Sequence, residues 1–247
     1  NPEDPSSFTP YDWVDAMFND SAPLSSIQAK VSGGSEQTRF MISISDEKQD
    51  GQILKSTWNR KNFRMNLDHK ASDKLKFSTS MGLTTQRIFG SITNGNFVNS
   101  PFVTTYAAQP NSPAYTADGE FEFYPAHFPN TSAGHLFNYN IVQGVFEERR
   151  EAFARQAIAS AQVVYTPIEQ ITVTILGGAD VANTESINER PPTIPAFAAL
   201  NGQVLSDNRA ILNWNSSATI GYSETFADDH SVSVLLGAEL KEETFKQ

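Results

Sequence analysis

The chain has 247 residues, 18 Lys and Arg against 28 Asp and Glu, a net charge of −10 and no cysteine. That balance argues against nucleic acid as a partner, and the missing thiols exclude disulfide frameworks and thiolate metal sites while fitting an oxidising compartment. With 39% hydrophobic residues and a mean hydropathy of −0.38, no run approaches the ~20 apolar residues that a membrane helix needs, so any membrane crossing falls to strands.

Asn1-Pro2-Glu3-Asp4-Pro5 is neither basic nor apolar, so it is no signal peptide, and the chain reads as an internal or processed fragment. Residues 1–24 read as a proline-rich loop with one turn of helix, which puts Trp13, Met17 and Phe18 on one face. Strands follow at about 25–32 and 38–47, joined by the turn Ser32-Gly33-Gly34-Ser35-Glu36-Gln37, where glycine supplies the positive φ that closes a hairpin. On the second strand Phe40, Ile42 and Ile44 alternate with Arg39, Ser43 and Ser45. A third strand, about 56–70, sets Phe63, Met65 and Leu67 against Arg60, Asn62, Arg64 and Asn66, and a fourth, about 75–87, sets Leu75, Phe77, Met81 and Leu83 against Lys76, Ser78, Ser80 and Thr84. An arginine facing the middle of a bilayer costs ~2–4 kcal/mol, so the polar faces look into a hydrated lumen and the apolar faces meet lipid.

Residues 88–147 break the alternation, but Phe97, Phe102, Tyr106, Tyr115, Phe121, Phe123, Tyr124, Phe128, Phe137 and Tyr139 make the stretch too aromatic for disorder. It reads as a folded cap. Strands resume at about 152–166 and 171–181, where Ile171, Val173, Ile175 and Val181 share a face. A loop with Pro191, Pro192 and Pro195 covers 182–207, since proline is incompatible with a central strand. The last strands, about 209–225 and 231–239, place Leu212, Trp214, Ile220 and Tyr222, then Val232, Val234, Leu236 and Ala238, on one side. Short turns at 33–37, 71–74, 167–170 and 227–230 alternate with longer connections at 48–55, 88–147 and 182–207. The fold class predicted is all-β: an antiparallel transmembrane β-barrel segment of about eight strands with a quiet end and an elaborate end.

Chemistry is sparse. In Asp68-His69 adjacent strand residues point to opposite faces, and Asp228-Asp229-His230 lies in a turn, so no catalytic site is expected. His69, His127, His135 and His230 lack metal-ligand spacing, and Gly177-Gly178 lies in a strand with no helix after it, so neither metal nor phosphate-bearing cofactor is expected. Trp58, Trp214, Tyr165 and Tyr222 read as an interfacial girdle, with substrate platforms the alternative, and the acidic runs 46–50, 147–151 and 228–229 as a solvated rim. Within the cap, Tyr106, Tyr115, Phe121 and Tyr124 are the candidates for substrate contact, as aromatic faces grip sugars and peptides.

Taken in order, Tyr11-Asp12-Trp13-Val14-Asp15-Ala16-Met17-Phe18, Val31-Ser32-Gly33-Gly34-Ser35-Glu36-Gln37-Thr38-Arg39-Phe40, Gln49-Asp50-Gly51, the run from Arg60 to Leu75, Pro110-Asn111-Ser112-Pro113-Ala114-Tyr115-Thr116-Ala117-Asp118-Gly119 and Ser231–Glu239 resemble the SusC/RagA-like TonB-linked outer-membrane transporters of Bacteroidetes. The resemblance implies TonB-dependent import of a large nutrient, a glycan or peptide, through a 22-stranded barrel filled by a plug and lidded by a SusD-like lipoprotein. It also implies that the short turns are periplasmic and the long loops extracellular, that the plug and TonB box lie outside this chain, and that the remaining strands, the plug and outer-membrane lipid are its partners. A passive porin and a soluble β-sandwich binding module are the alternatives.

Overall fold

The computed structural model describes residues 10–90, 100–108, 113–122, 140–227 and 229–247. Eight strands run in order: β1 (Leu24–Gly34), β2 (Thr38–Asp50), β3 (Thr57–Ser72), β4 (Leu75–Phe89), β5 (Arg149–Ile168), β6 (Ile171–Arg190), β7 (Gln203–Phe226) and β8 (His230–Lys246). They form one sheet in which each strand pairs antiparallel with the next, β1 to β8. The described residues contain no β1–β8 pairing, so the sheet is open and both outer strands present unpaired edges. Among the described residues, three short helices, α1 (Pro101–Ala107), α2 (Ile141–Glu147) and α3 (Pro195–Ala198), lie in the longer connections.

The register builds two chemically distinct faces. Val31, Ile42, Met65 and Met81 are successive cross-strand partners, as are Ala29, Ile44, Phe63 and Leu83. The same row runs on through Ala157, Val181 and Leu212. The opposite face carries the row Gln28, Ser45, Asn62, Thr84 and Gln156. A one-residue slip anywhere would send every side chain of a strand to the wrong face, so the alternation and the pairing fix each other. On β4 the apolar side runs from Leu75 to Leu83, about 27 Å of strand at ~3.4 Å per residue. At the ~40° tilt of such strands that is about 21 Å of membrane thickness, close to the ~25 Å band of a transmembrane barrel.

The band ends in a charged and polar row, Asp46, Lys61, Thr85, Arg155 and Asn183. Beyond it the strands continue. β6 runs to Arg190 and β7 begins at Gln203, so the loop expected at 182–207 shrinks to 191–202. The reason is physical: past the apolar band both faces are polar, and the outward residues Asn183, Glu185, Ile187 and Glu189 no longer alternate with more polar ones. These extensions are tied across strands by ion pairs: Arg87 Nε to Glu151 Oε1 at 2.5 Å, Arg149 Nη2 to Glu151 Oε2 at 3.0 Å, Arg149 Nη1 to Glu189 Oε1 at 3.3 Å and Arg155 Nη1 to Glu185 Oε1 at 3.5 Å.

At the other end the connections are tight. In the β1–β2 turn Ser35 N–H donates to the Thr38 carbonyl at 2.6 Å. A Cβ on Gly34 would meet that carbonyl oxygen at 2.1 Å, so close approach of backbone is what demands glycine here.

Candidate functional site

All connections at the long-loop end converge on one apolar cluster of Trp13, Met17, Ile53, Ala114, Ile141, Val142, Val145 and Ile194. It is the buried core of the described chain, and it sits in the cap rather than in the sheet. Its first component is the turn predicted near residue 13. Phe18 N–H donates to the Val14 carbonyl at 2.9 Å, Asp12 Oδ1 accepts from the N–H groups of Val14 and Asp15, and Met17 is fully buried. Of the three residues expected on one face, Trp13 and Met17 enter the core, and Phe18 packs beside it with its ring 5.2 Å from that of Phe102.

Asn140 organises the rest. Its Oδ1 accepts from Val142 and Gln143 N–H at 3.1 and 3.3 Å, capping α2, while its Nδ2 donates to the carbonyls of Ala114 at 2.7 Å and Glu122 at 3.0 Å. One buried amide therefore starts a helix and clamps the ends of the small hairpin at 113–122. From α2, Gln143 Nε2 reaches the Thr193 carbonyl at 3.1 Å, and Lys55 Nζ donates to the Phe146 carbonyl at 2.7 Å. The β2–β3, β4–β5 and β6–β7 connections are thus stitched into one body.

The acidic run 147–151, expected on the solvated rim, is divided by the fold. Glu148 and Arg150 are buried, with Arg150 Nη2 2.6 Å from Glu148 Oε2 and Arg190 Nε 3.6 Å from the same oxygen. Arg150 pairs in register with Asn188 on the polar face of the sheet, which places the cap over that face and makes it the inner one. Glu151 points outward, and the hydrogen bond from Arg87, seconded by Arg149, holds its carboxyl below the usual carboxylate range.

Of the four candidate contact residues, Tyr115 and Phe121 form an isolated bridge and stack on each other with centroids 5.2 Å apart. Phe121 also lies 6.4 Å from Phe146, so each ring spends a face on the cap itself. Burial raises the Tyr115 phenol above its usual range, and burial together with neighbouring Tyr115 does the same to Tyr11. Tyr106 lies on α1, its side chain outside the described set, and Tyr124, His127 and His135 fall outside the described residues. His69 Nδ1 lies 2.8 Å from Thr38 Oγ1, and the described residues hold no cluster of three metal-ligating side chains.

Trp58 departs from the girdle expected of it. It pairs with Ile88 in the register that also pairs Arg60 with Gln86, so it stands on the inner wall above Arg60, whereas Trp214 and Tyr222 share the outer face with Leu212 and Ile220. The inner wall therefore presents Trp58, Arg60, Asn62 and Arg64 along β3, backed by Ser43, Ser45, Thr84 and Gln156. The described part of this wall thus combines an aromatic ring, two guanidinium groups and amides.

No family model matches the chain. It is 25% identical over 250 residues to TonB-dependent receptor P26 of Formosa agariphila, covering 97% of this chain and 23% of that protein. It is 26% identical over 235 residues to TonB-dependent receptor P3 of the same organism, covering 92% and 22%. The chain thus spans less than a quarter of the curated relatives it matches. Among solved structures, the RagAB peptide transporter superposes with a TM-score of 0.70 at 19% identity, over 95% of this chain and 26% of that one. The RagAB peptide importer in its open-open state superposes with a TM-score of 0.73 at 19% identity, over 98% and 27%. These relatives are receptors and transporters, not enzymes. In sequence and in fold alike, the chain is like a partial barrel segment of the SusC/RagA-like, TonB-dependent transporters, and the resemblance carried by its residues stands.

Proposed function

We propose that this chain supplies eight strands of barrel wall and the extracellular cap over them to an outer-membrane importer that takes up a large nutrient, a glycan or peptide, with energy delivered through TonB. The observation that carries this reading is the two-faced sheet, with an apolar band of membrane height on one side, a polar wall on the other, and every long connection gathered at one end. The similarity to TonB-dependent receptors over nearly the whole chain supports it. The two open edges, whose unpaired backbone groups would cost several kcal/mol each in hydrocarbon, call for further strands of the same barrel. The plug and the TonB contact belong to parts of the protein outside these residues, and a SusD-like surface lipoprotein is the lid expected over the cap.

A soluble β-sandwich is disfavoured because, among the described residues, the eight strands lie in one sheet with no second sheet facing it. A passive porin is separated by energetics. The test is uptake of labelled oligosaccharides and oligopeptides by cells carrying the complete reading frame, with and without TonB. Uptake that ends when TonB is removed supports the importer; diffusive uptake indifferent to TonB refutes it.

A further inference from the structure

The inner wall carries a second feature besides the cap. A concavity of about 340 Å³ opens on it, lined among others by Gln28, Ser43, Arg60, Asn62, Arg64 and Gly82. Its polarity is lopsided. Arg60 Nε donates to Asn62 Oδ1 at 3.1 Å, and Asn62 is itself fixed by Ser45 Oγ at 3.0 Å and Thr84 Oγ1 at 3.0 Å, so this guanidinium is oriented from behind by a hydrogen-bonded row. Arg64, exposed on the wall, forms no ion pair among the described residues, and Lys30 joins it in the same register row across Ser43. Three carboxylates share this wall nearby. Glu47 stands opposite Arg60 in register but forms no ion pair with it, Asp68 follows Arg64 on the same face of β3 opposite Arg39, and Asp180 is held by Gln156 Nε2 at 3.0 Å three strands from Arg64. Gly82 stands opposite Arg64, and a Cβ there would meet no atom within 4 Å, so the space beside the guanidinium is open.

A cation at membrane depth with no partner is expensive, and such groups mark solute pathways when they face a wet cavity. The planar guanidinium fork matches a carboxylate or sulfate in bidentate geometry, with two charge-assisted hydrogen bonds. Arg60 stands next to outward-facing Lys61, which closes the apolar band, so the concavity lies in the half of the wall nearer the cap, where a solute would enter. We propose that this concavity is a binding site for an oxyanion, a carboxylate or sulfate, borne by the transported solute. The inference rests on the importer reading and adds the charge class of the cargo.

The test uses the complete reading frame purified in detergent, with sodium sulfate and sodium citrate as probes against sodium chloride at matched ionic strength. A ligand that binds only the folded state raises the thermal midpoint along a saturating curve. The expected result is such a rise in the wild type, a half-saturating concentration about tenfold higher or more in Arg64→Gln, no rise beyond chloride in Arg60→Gln/Arg64→Gln, and wild-type behaviour in Lys61→Gln, which faces outward. Arg64→Lys keeps the charge but not the fork and should fall between, which also serves if the glutamine variant fails to fold. Equal sulfate responses in wild type and both arginine variants would overturn the site. So would a wild type that shows no rise beyond chloride while the arginine variants lose stability without anion, for then an acidic side chain of the same polypeptide fills the pocket. Because this readout needs no transport, loss of TonB-dependent uptake with binding intact would defeat the importer reading and leave the anion site standing.

Discussion

Met65 and Asn66 are adjacent on β3 and face opposite ways, so one substitution made at both positions separates the two sides of the wall. Met65 sits in mid-band between cross-strand partners Ile42 and Met81, while Asn66 sits between Met41 and Ser80 on the inner wall. An arginine at a lipid-facing mid-bilayer position costs ~2–4 kcal/mol. At 1.36 kcal/mol per decade that lowers the folding equilibrium about 30-fold to about 900-fold. On a hydrated wall the same side chain stays within about 0.5 kcal/mol of neutral. The assay is the folded fraction of the complete reading frame in phospholipid vesicles across a urea series, read by the heat-modifiable gel mobility of folded barrels. Met65→Arg should shift the transition far more than Asn66→Arg, and arginine at Phe63, nearer the Lys61 boundary, should cost less than at Met65. Equal costs at 65 and 66, or the reverse order, would place lipid on the wrong side of the sheet and undo the assignment of lumen and membrane together.

The cap yields three further tests. Asn140→Ala removes the α2 cap and both hairpin clamps, so it should cost the cap ~1–2 kcal/mol or more and raise protease cleavage within 113–147, while barrel unfolding measured by gel mobility stays unchanged. Glu148→Gln leaves Arg150 buried without its carboxylate and should cost ~3–5 kcal/mol, read as loss of amide-exchange protection at the ends of β5 and β6; Glu148→Gln/Arg150→Met should recover much of that loss. Glu151 has its folded value depressed by Arg87, so its contribution is present above the unfolded carboxylate range and is lost as pH falls through the lower folded value. Arg87→Gln should therefore lower the thermal midpoint at neutral pH and match the wild type at pH values below that folded range, and a difference that persists there would remove Glu151 from the account.

How much of this could be read beforehand depends on which force leaves a trace in sequence. Alternation at Phe63, Met65 and Leu67 against Arg64 and Asn66 is written by lipid on one side and water on the other, and β3 and β4 lie close to where the periodicity placed them. The trace vanishes once both faces are wet, which is why periodicity ends β6 at 181 and starts β7 at 209 although pairing continues through Asn188 with Leu205. Trp58 reads as girdle because an aromatic near a strand end suits one by composition, and only its parity with Arg60 puts it inside. The Glu148–Arg150 pair could not be seen, because a charge run looks the same whether it is solvated or folded under a cap. Asn140 did leave a signal, a capping residue directly before the apolar pair Ile141-Val142, within a stretch where aromatic content drew the attention instead.

Strand length links the wall to the cap. A bilayer needs ~9–11 residues of a tilted strand, whereas β5 and β6 have 20 each and β7 has 24, so on the proposed barrel-wall reading about half of each stands beyond the membrane. A two-sided wet extension has no hydrophobic face to hold it. What holds this one is the ladder, the ion pairs of Arg87, Arg149 and Arg155 on its outer side, and the buried Arg150–Glu148–Arg190 group on its inner side, where α2 docks. Each exposed pair adds only ~0.2–1 kcal/mol, so the inner group and the apolar cluster around Met17 and Ile141 must carry the cap. The outer pairs can then be lost one at a time for a small fall in stability each, while any change that opens the inner group frees three connections at once, because β2–β3, β4–β5 and β6–β7 all anchor to α2.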